Sequence, residues 1–126
     1  MKVQIVNTLV KILGRVKIMK VADKAIRNDL LNDYLHLRSF ARKAEDAQLE
    51  VVDKFNSDWA GADQNGTEYK AALVALNEVV GKILSEEVDV EIKPVSVSDF
   101  MGIPETDSVT LEQVAFLIEW GVLKDV

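Results

Sequence analysis

One stretch of the chain, from about Val21 to Phe55, contains neither proline nor glycine and constrains the fold more than any other segment. Its apolar residues form two rows with a spacing of seven, offset by three or four positions: Leu30, Leu37, Ala44 and Val51, and Ile26, Phe40 and Ala47. This spacing predicts one long helix with an apolar stripe. Asp33 occupies a position in the second row, so the pattern is not a clean leucine zipper.

The predicted helix is longer than the span of a compact chain of this size, because at about 1.5 Å per residue it would extend for roughly 50 Å. Its first half carries the additional apolar residues Leu31, Tyr34 and Leu35, whereas the outer face of its second half, from Arg38 to Lys54, is charged. We therefore expect the first half to pack on two sides and the second half on one. The helix either bends or projects beside a partner helix.

A second helix is predicted after a polar loop. The loop, Ser57 to Thr67, contains two glycines and several turn-forming residues, and Thr67 can cap the helix that follows. Apolar residues then recur at intervals of three and four: Tyr69, Leu73, Leu76, Val80 and Ile83. We interpret the two helices as an antiparallel helical hairpin that covers about residues 21–86.

Two short segments alternate apolar and polar residues, which is typical of half-buried strands. The first is Met1 to Val6, after which Asn7 can cap a helix from Thr8 to Leu13 that ends at Gly14. The second runs from Val88 to Ile92. Because a strand needs a partner, we expect these two segments to pair with each other.

A capping-box pattern, Thr110 with Gln113, precedes a last helix from Leu111 to Trp120, and Gly121 follows it. The elements together predict a mostly α, α+β fold with a helical hairpin, a small two-stranded β element and two short helices. A chain of 126 residues with 48% hydrophobic content can bury one core. We therefore expect one domain, residues 1–126, with a β strand and the C-terminal helix in about residues 87–126.

The chain contains no cysteine, which excludes disulfide and thiolate chemistry. The apolar run from Val3 to Leu13 is interrupted by a lysine and is not followed by a small-residue cleavage site, so we interpret it as part of the fold rather than a signal peptide. No segment approaches the roughly 18 uninterrupted apolar residues of a membrane span. We expect a soluble, cytoplasmic protein with no membrane partner.

Charge is divided unevenly along the acidic chain, whose net charge is −6. Residues 1–43 contain ten Lys and Arg against three Asp, whereas residues 44–126 contain five Lys against eighteen acids. The two parts either attract each other within one fold, or the basic part forms a face for an anionic partner or for a second copy of the chain. The candidate basic face consists of Lys11, Arg15, Lys17, Lys20, Lys24 and Arg27.

Motifs for catalysis and cofactor binding are lacking in the sequence. His36 is the single histidine, so a metal site with two histidines is excluded, and neither a glycine-rich phosphate loop nor a G-x-S-x-G motif is present. We interpret His36 as a surface residue rather than a catalytic base, and the acid pair Glu86 and Glu87 as the end of a helix and the start of a strand. We therefore predict no enzyme activity, no catalytic residue, no cofactor and no metal.

Trp59 is the large apolar residue of the hairpin loop. It either plugs the end of the hairpin, covering Phe55 and Tyr69, or is exposed as an anchor for a partner, since tryptophan is enriched at the centres of protein interfaces. Together with Asp58 and Asp63 it forms the candidate partner-binding site.

The order of features resembles a family of small proteins encoded by tailed bacteriophages and prophages. The similarity lies in the run from Val16 to Phe55, with "KVADKAIRNDLL" and "EVVDKF", and resumes with "EEVDVEIKPVSVSDF" and "TLEQVAFLIEWGVL". The chain departs from the family at its carboxyl end, from Gly121 to Val126. The resemblance implies a phage-related protein, in the host cytoplasm or in the virion, with no known enzyme activity, and it transfers no functional residues.

For function, we expect a non-enzymatic protein that binds another protein of phage or host origin, in particle assembly or in binding of a host factor. Association into a homo-oligomer is a further expectation. The alternative is a nucleic-acid-binding accessory protein that uses the basic N-terminal part. The net acidity of the rest of the chain opposes this alternative.

Overall fold

The computed structural model describes residues 1–104 and 109–125, and the described part is mostly helical with a small sheet, as the sequence predicts. In chain order the elements are helix α1 (Val3–Leu13), a 3-10 turn (Ile18–Lys20), α2 (Lys24–Asp58), α3 (Thr67–Ser85), strand β1 (Val95–Ser96), α4 (Val97–Met101), α5 (Leu111–Glu119) and β2 (Leu123–Lys124).

The prediction of a strand from Met1 to Val6 is wrong, because α1 already begins at Val3. Asn7 therefore lies inside this helix instead of capping one. Apolar residues of the segment also fit the helical period, and the structure buries the set that this period brings to one face: Val3, Val6, Leu9, Ile12 and Leu13. The end of the helix at Gly14 is confirmed, since Gly14 is its C-cap.

Helix α2 is the predicted long helix and contains 35 residues. Asp23 caps it, because its carboxylate Oδ1 accepts the backbone N–H groups of Ala25 and Ile26 at 2.9 and 3.1 Å. The predicted row with a spacing of seven is buried at Leu30, Leu37 and Ala44. Beyond Ala44 no residue of α2 is buried, so the helix contributes to the core mainly with its first half.

The core lies where α1, the first half of α2, α4 and α5 meet. Its most completely buried apolar side chains come from all four helices and the end of the chain: Val6, Leu9, Leu30, Leu37, Phe100, Leu117 and Val122. Among the described residues, no apolar side chain from 45–85 belongs to this core or packs against it, although α3 contacts α1. Leu31 and Tyr34 of the first half of α2 pack against this core as predicted, whereas Leu35 is 47% exposed.

The prediction of a strand from Val88 to Ile92 is also wrong, although its alternation of half-buried and exposed residues is confirmed. One antiparallel bridge, Lys2 with Glu87, joins this region to the amino terminus. The N–H of Val3 donates to the Glu86 carbonyl at 3.0 Å, and the N–H of Val88 donates to the Met1 carbonyl at 2.8 Å. The pairing stops there because the chain turns into α1 at Val3.

The small sheet lies elsewhere than the sequence predicts. Strands β1 and β2 contain two residues each and pair in parallel, with Val95 opposite Leu123. Helix α5 precedes β2, and the predicted capping box of Thr110 and Gln113 is confirmed. Gly121 has φ 79°, a conformation that glycine adopts without strain, and it turns the chain from α5 into β2.

In the part of the chain that the structure describes, no helix combines the length and apolar character needed to cross a membrane.

Candidate functional site

Trp59 lies in an aromatic cluster with Phe55 and Tyr69, at the junction of α2 and α3. The ring centroids of Trp59 lie 6.4 Å from Phe55 and 6.1 Å from Tyr69, and those of Phe55 and Tyr69 are 5.6 Å apart. All three side chains are half-buried. This geometry matches the interpretation of Trp59 as a plug over the end of α2 and α3, while part of its ring stays accessible.

The two acids of the candidate partner-binding site have different surroundings. Asp58 is the exposed last residue of α2. Asp63 holds the turn before α3, because its carboxylate accepts the N–H of Asn65 at 3.0 Å and its carbonyl accepts the N–H of Gly66 at 2.9 Å. The carboxylate of Asp63 is therefore engaged in the loop.

The residues of the candidate basic face are distributed over several places. Lys17 and Lys20 line a groove of about 360 Å³ whose remaining walls include Leu31 and Tyr34. Lys11 and Arg15 lie in a separate depression, whose other walls are Thr8, Ile12, Glu112, Gln113 and Phe116. Lys24 and Arg27 lie in the first turn of α2, and the Arg27 guanidinium donates to the Val21 carbonyl at 3.3 Å.

A buried acid that the sequence analysis did not select lies on α2. Asp33 is 1% exposed, and its Oδ1 accepts the backbone N–H of Lys93 at 2.8 Å. Among residues 1–104 and 109–125, no group forms a hydrogen bond with its other carboxylate oxygen, Oδ2. The available signal was its position in the apolar row with Ile26 and Phe40, which places an acid on the core side of the helix.

Asp33 lines a cleft of about 720 Å³ between α2 and the extended segment that precedes β1; we call it the Asp33 cleft. Its walls are Asn32, Asp33, His36, Val90, Glu91, Ile92 and Lys93. His36 is exposed, as predicted, and its Nδ1 lies 3.4 Å from the Glu91 carbonyl oxygen. The cleft thus combines apolar walls with a buried carboxylate.

Burial raises the pKa of the Asp33 carboxyl from 3.8 to about 6, and the negative charge of Asp29 adds to this effect. The hydrogen bond from Lys93 and the charges of His36 and Lys93 act in the opposite direction. A carboxylate that is ionised at neutral pH with one oxygen unpartnered is costly to bury. Such perturbed groups in clefts are candidates for functional residues.

A metal site is not formed by the described residues, since they contain no group of three or more His, Asp or Glu side chains placed to hold an ion.

Glu87 pairs with the α-amino group of Met1 at 2.9 Å, and this ammonium group lowers the pKa of the Glu87 carboxyl.

No protein-family model matches the chain. Comparisons with curated proteins and with solved structures find no significant similarity. The resemblance to phage proteins therefore stays a prediction.

Proposed function

We propose that this protein is non-enzymatic and acts by binding another protein through the second half of α2 and α3, residues 45–85, which we call the interaction arm. The observation that carries the proposal is that none of the 19 residues of α3 is buried. Several large apolar side chains of the arm are exposed: Val74 at 59%, Leu49 at 51%, Val79 at 41% and Leu73 at 38%.

The proposed arm is an antiparallel helical hairpin. Phe55 near the end of α2 contacts Tyr69 near the start of α3, which closes the hairpin at one end. The chain that leaves α3 meets the start of α1 through the Glu86 carbonyl, and α1 contacts both α2 and α3. These contacts support the proposal that α3 returns toward the core alongside α2.

Helix α3 lacks the buried face that ordinarily stabilises a helix in a folded protein. Isolated helices of this length are marginally stable, and most helical stability in proteins comes from packing of an apolar face. Complete burial of one Val or Leu side chain contributes about 1.5 to 3 kcal/mol. A partner that covers the exposed apolar residues of the arm would supply the packing that neither the core nor α2 provides.

The charges of the arm indicate the chemistry of this partner. Residues 45–85 contain eight acids and three lysines. A complementary protein surface is apolar at its centre, to cover the exposed apolar residues, and basic at its rim. Opposite charges on the two surfaces speed their association and fix their relative orientation. The resemblance to phage proteins adds the proposal that the partner is a phage or host protein, and that the complex acts in particle assembly or in binding a host factor.

The experiment has two stages. A partner is first captured from cells that express the chain, and it is then purified so that its affinity can be measured by calorimetry. Val74→Glu on the arm is compared with Met101→Glu at the end of α4, which changes an apolar side chain that is 52% exposed outside the arm. Both substitutions leave the core intact, which the melting temperature checks.

We expect Val74→Glu to weaken binding by about tenfold or more, which corresponds to roughly 1.4 kcal/mol or more. Met101→Glu is expected to leave the affinity unchanged. Equal effects of the two substitutions would contradict the proposed arm. Self-association that depends on Val74, without any other partner, would identify a second copy of the chain as the occupant.

A further inference from the structure

The Asp33 cleft has the features of a ligand site, and we propose that it binds the cationic end of a ligand, an alkylammonium or guanidinium group on a short apolar stem. This inference does not depend on the interaction arm.

The carboxylate of Asp33 is buried but incompletely hydrogen-bonded. Asp33 is 1% exposed, and Oδ2 has no hydrogen-bond partner among the described residues. A buried acceptor without a partner costs about 1 to 3 kcal/mol, and more when the group is charged. An ammonium or guanidinium N–H that donates to Oδ2 would remove this cost and add a charge-assisted hydrogen bond.

The Asp33 cleft has the size and the apolar walls of a ligand pocket. Its volume of about 720 Å³ lies within the range of about 300 to 1,000 Å³ that is common for ligand pockets. Val90 and Ile92 present half-buried apolar side chains along the extended segment. A stem of a few methylene groups can pack against them, with its charged end at the part of the wall that Asp33 forms.

The charges around the carboxylate favour a small monocation. Asp29 and His36 on α2 and Lys93 on the extended segment are the charged groups that influence Asp33 electrostatically, and the exposed Glu91 lies at the cleft wall. Lys93 donates its backbone N–H to Oδ1, but its side chain is exposed and leaves Oδ2 unpartnered. A divalent metal is disfavoured because the described residues offer no group of three ligands.

Titration of Asp33 supplies an internal test of this site. Because burial raises its pKa to about 6, a bound cation must stabilise the ionised form and lower this pKa. By linkage, affinity for the cation increases as the pH rises through this range. Between about pH 7 and pH 5 the ionised fraction falls roughly tenfold, and so should the affinity.

The experiment is a titration monitored by ¹H–¹⁵N NMR at the amides of Asn32 and Lys93. The small-amine probes are n-butylammonium and n-butylguanidinium, and the probes for a protein side chain are acetyl-lysine amide and acetyl-arginine amide. Butanol is the neutral control, and potassium chloride at equal ionic strength is the salt control. Tighter binding of acetyl-lysine amide or acetyl-arginine amide would identify a protein side chain as the natural ligand. Tighter binding of n-butylammonium or n-butylguanidinium would identify a free small molecule.

We expect saturable shifts with the cations and none with butanol, weakened about tenfold at pH 5 and abolished in Asp33→Asn. This substitution keeps an oxygen that can accept the Lys93 N–H, and the pH series tests the wild-type protein independently of it. Asp46→Asn, which changes an exposed acid of α2 outside the cleft walls, should retain binding, and loss of binding in this variant would overturn the proposal. Equal shifts with butanol, or unchanged binding in Asp33→Asn, would overturn the proposal.

Discussion

The carboxylate of Asp33 accepts the backbone N–H of Lys93 at 2.8 Å, and this bond ties the extended segment before β1 to the long helix α2. The two residues are 60 positions apart in the sequence. One buried acid therefore fixes the position of a segment that forms no regular ladder of hydrogen bonds in the described structure.

This acid makes the stability of the fold depend on pH. Because the pKa of Asp33 is raised from 3.8 to about 6 in the folded state, the folded protein binds this proton more tightly than the unfolded chain does. The contribution of protonated Asp33 to the free energy of unfolding is therefore fully present below about pH 4 and is lost as the pH rises through about 6. A shift of this size corresponds to about 3 kcal/mol.

Asp33→Asn removes the titration and keeps an acceptor for Lys93. We expect its free energy of unfolding, relative to wild type, to increase by up to about 3 kcal/mol between pH 4 and pH 7. Urea denaturation at the two pH values measures this difference. The matched control is Asp46→Asn, an exposed acid on the same helix, which should give no such increase. A difference that is independent of pH would show that Asp33 is not the responsible group.

Trp59→Ala tests whether the aromatic cluster is structural. Trp59 is half-buried against Phe55 and Tyr69, so its removal should cost less than the 3 to 5 kcal/mol of a fully buried aromatic, about 1 to 2 kcal/mol. Trp59→Phe, the control, should retain most of the stability. Chemical denaturation provides the measurement; wild-type stability of Trp59→Ala together with lost partner binding would favour the exposed anchor.

Val6→Ala tests the helical amino terminus. Val6 is completely buried, whereas Gln4 is exposed. We expect Val6→Ala to lower the free energy of unfolding by about 2 kcal/mol and Gln4→Ala to change it little. In the strand predicted from the sequence, Val3 and Ile5 would face the core and Val6 would face away from it. Similar small effects at Val6 and Gln4 would thus favour the predicted amino-terminal strand over the helix.

Nucleic-acid binding by the basic residues is tested with labelled duplex DNA and fluorescence anisotropy. Lys11 and Arg15 share a depression with Glu112, while Lys17 and Lys20 line a different groove. Because the net charge is also −6, we expect no binding at physiological salt. Micromolar binding that falls steeply with salt, as release of counterions requires, would support the alternative function.

The helices that could be predicted from the sequence are those with a strong local signal. The spacing of seven at Leu30, Leu37 and Ala44 identified α2, and the capping box at Thr110 identified the start of α5. At the amino terminus the local signal was ambiguous, because Val3 and Ile5 fit a strand while Val3 and Val6 fit a helix. Packing of α1 against α2 decided between the two.

The sheet and the Asp33 cleft depend on contacts between distant residues. Strands β1 and β2 contain two residues each, which is too short for a detectable alternation. Val88, Val90 and Ile92 were correctly predicted to be half-buried, but burial came from the core and not from strand pairing. The cleft forms because Lys93 lies next to Asp33, which is 60 positions earlier in the sequence. No local sequence pattern predicts this contact.

Amide hydrogen exchange along α3, measured in the free protein and in the complex with its purified partner, tests the central claim most directly. Helices with few buried contacts open at low free energy. We therefore expect α3 to exchange faster than α1 in the free protein and to become strongly protected in the complex, together with the second half of α2. Protection confined to α1 or to the first half of α2, with unchanged exchange in α3, would contradict the proposal that this arm binds the partner.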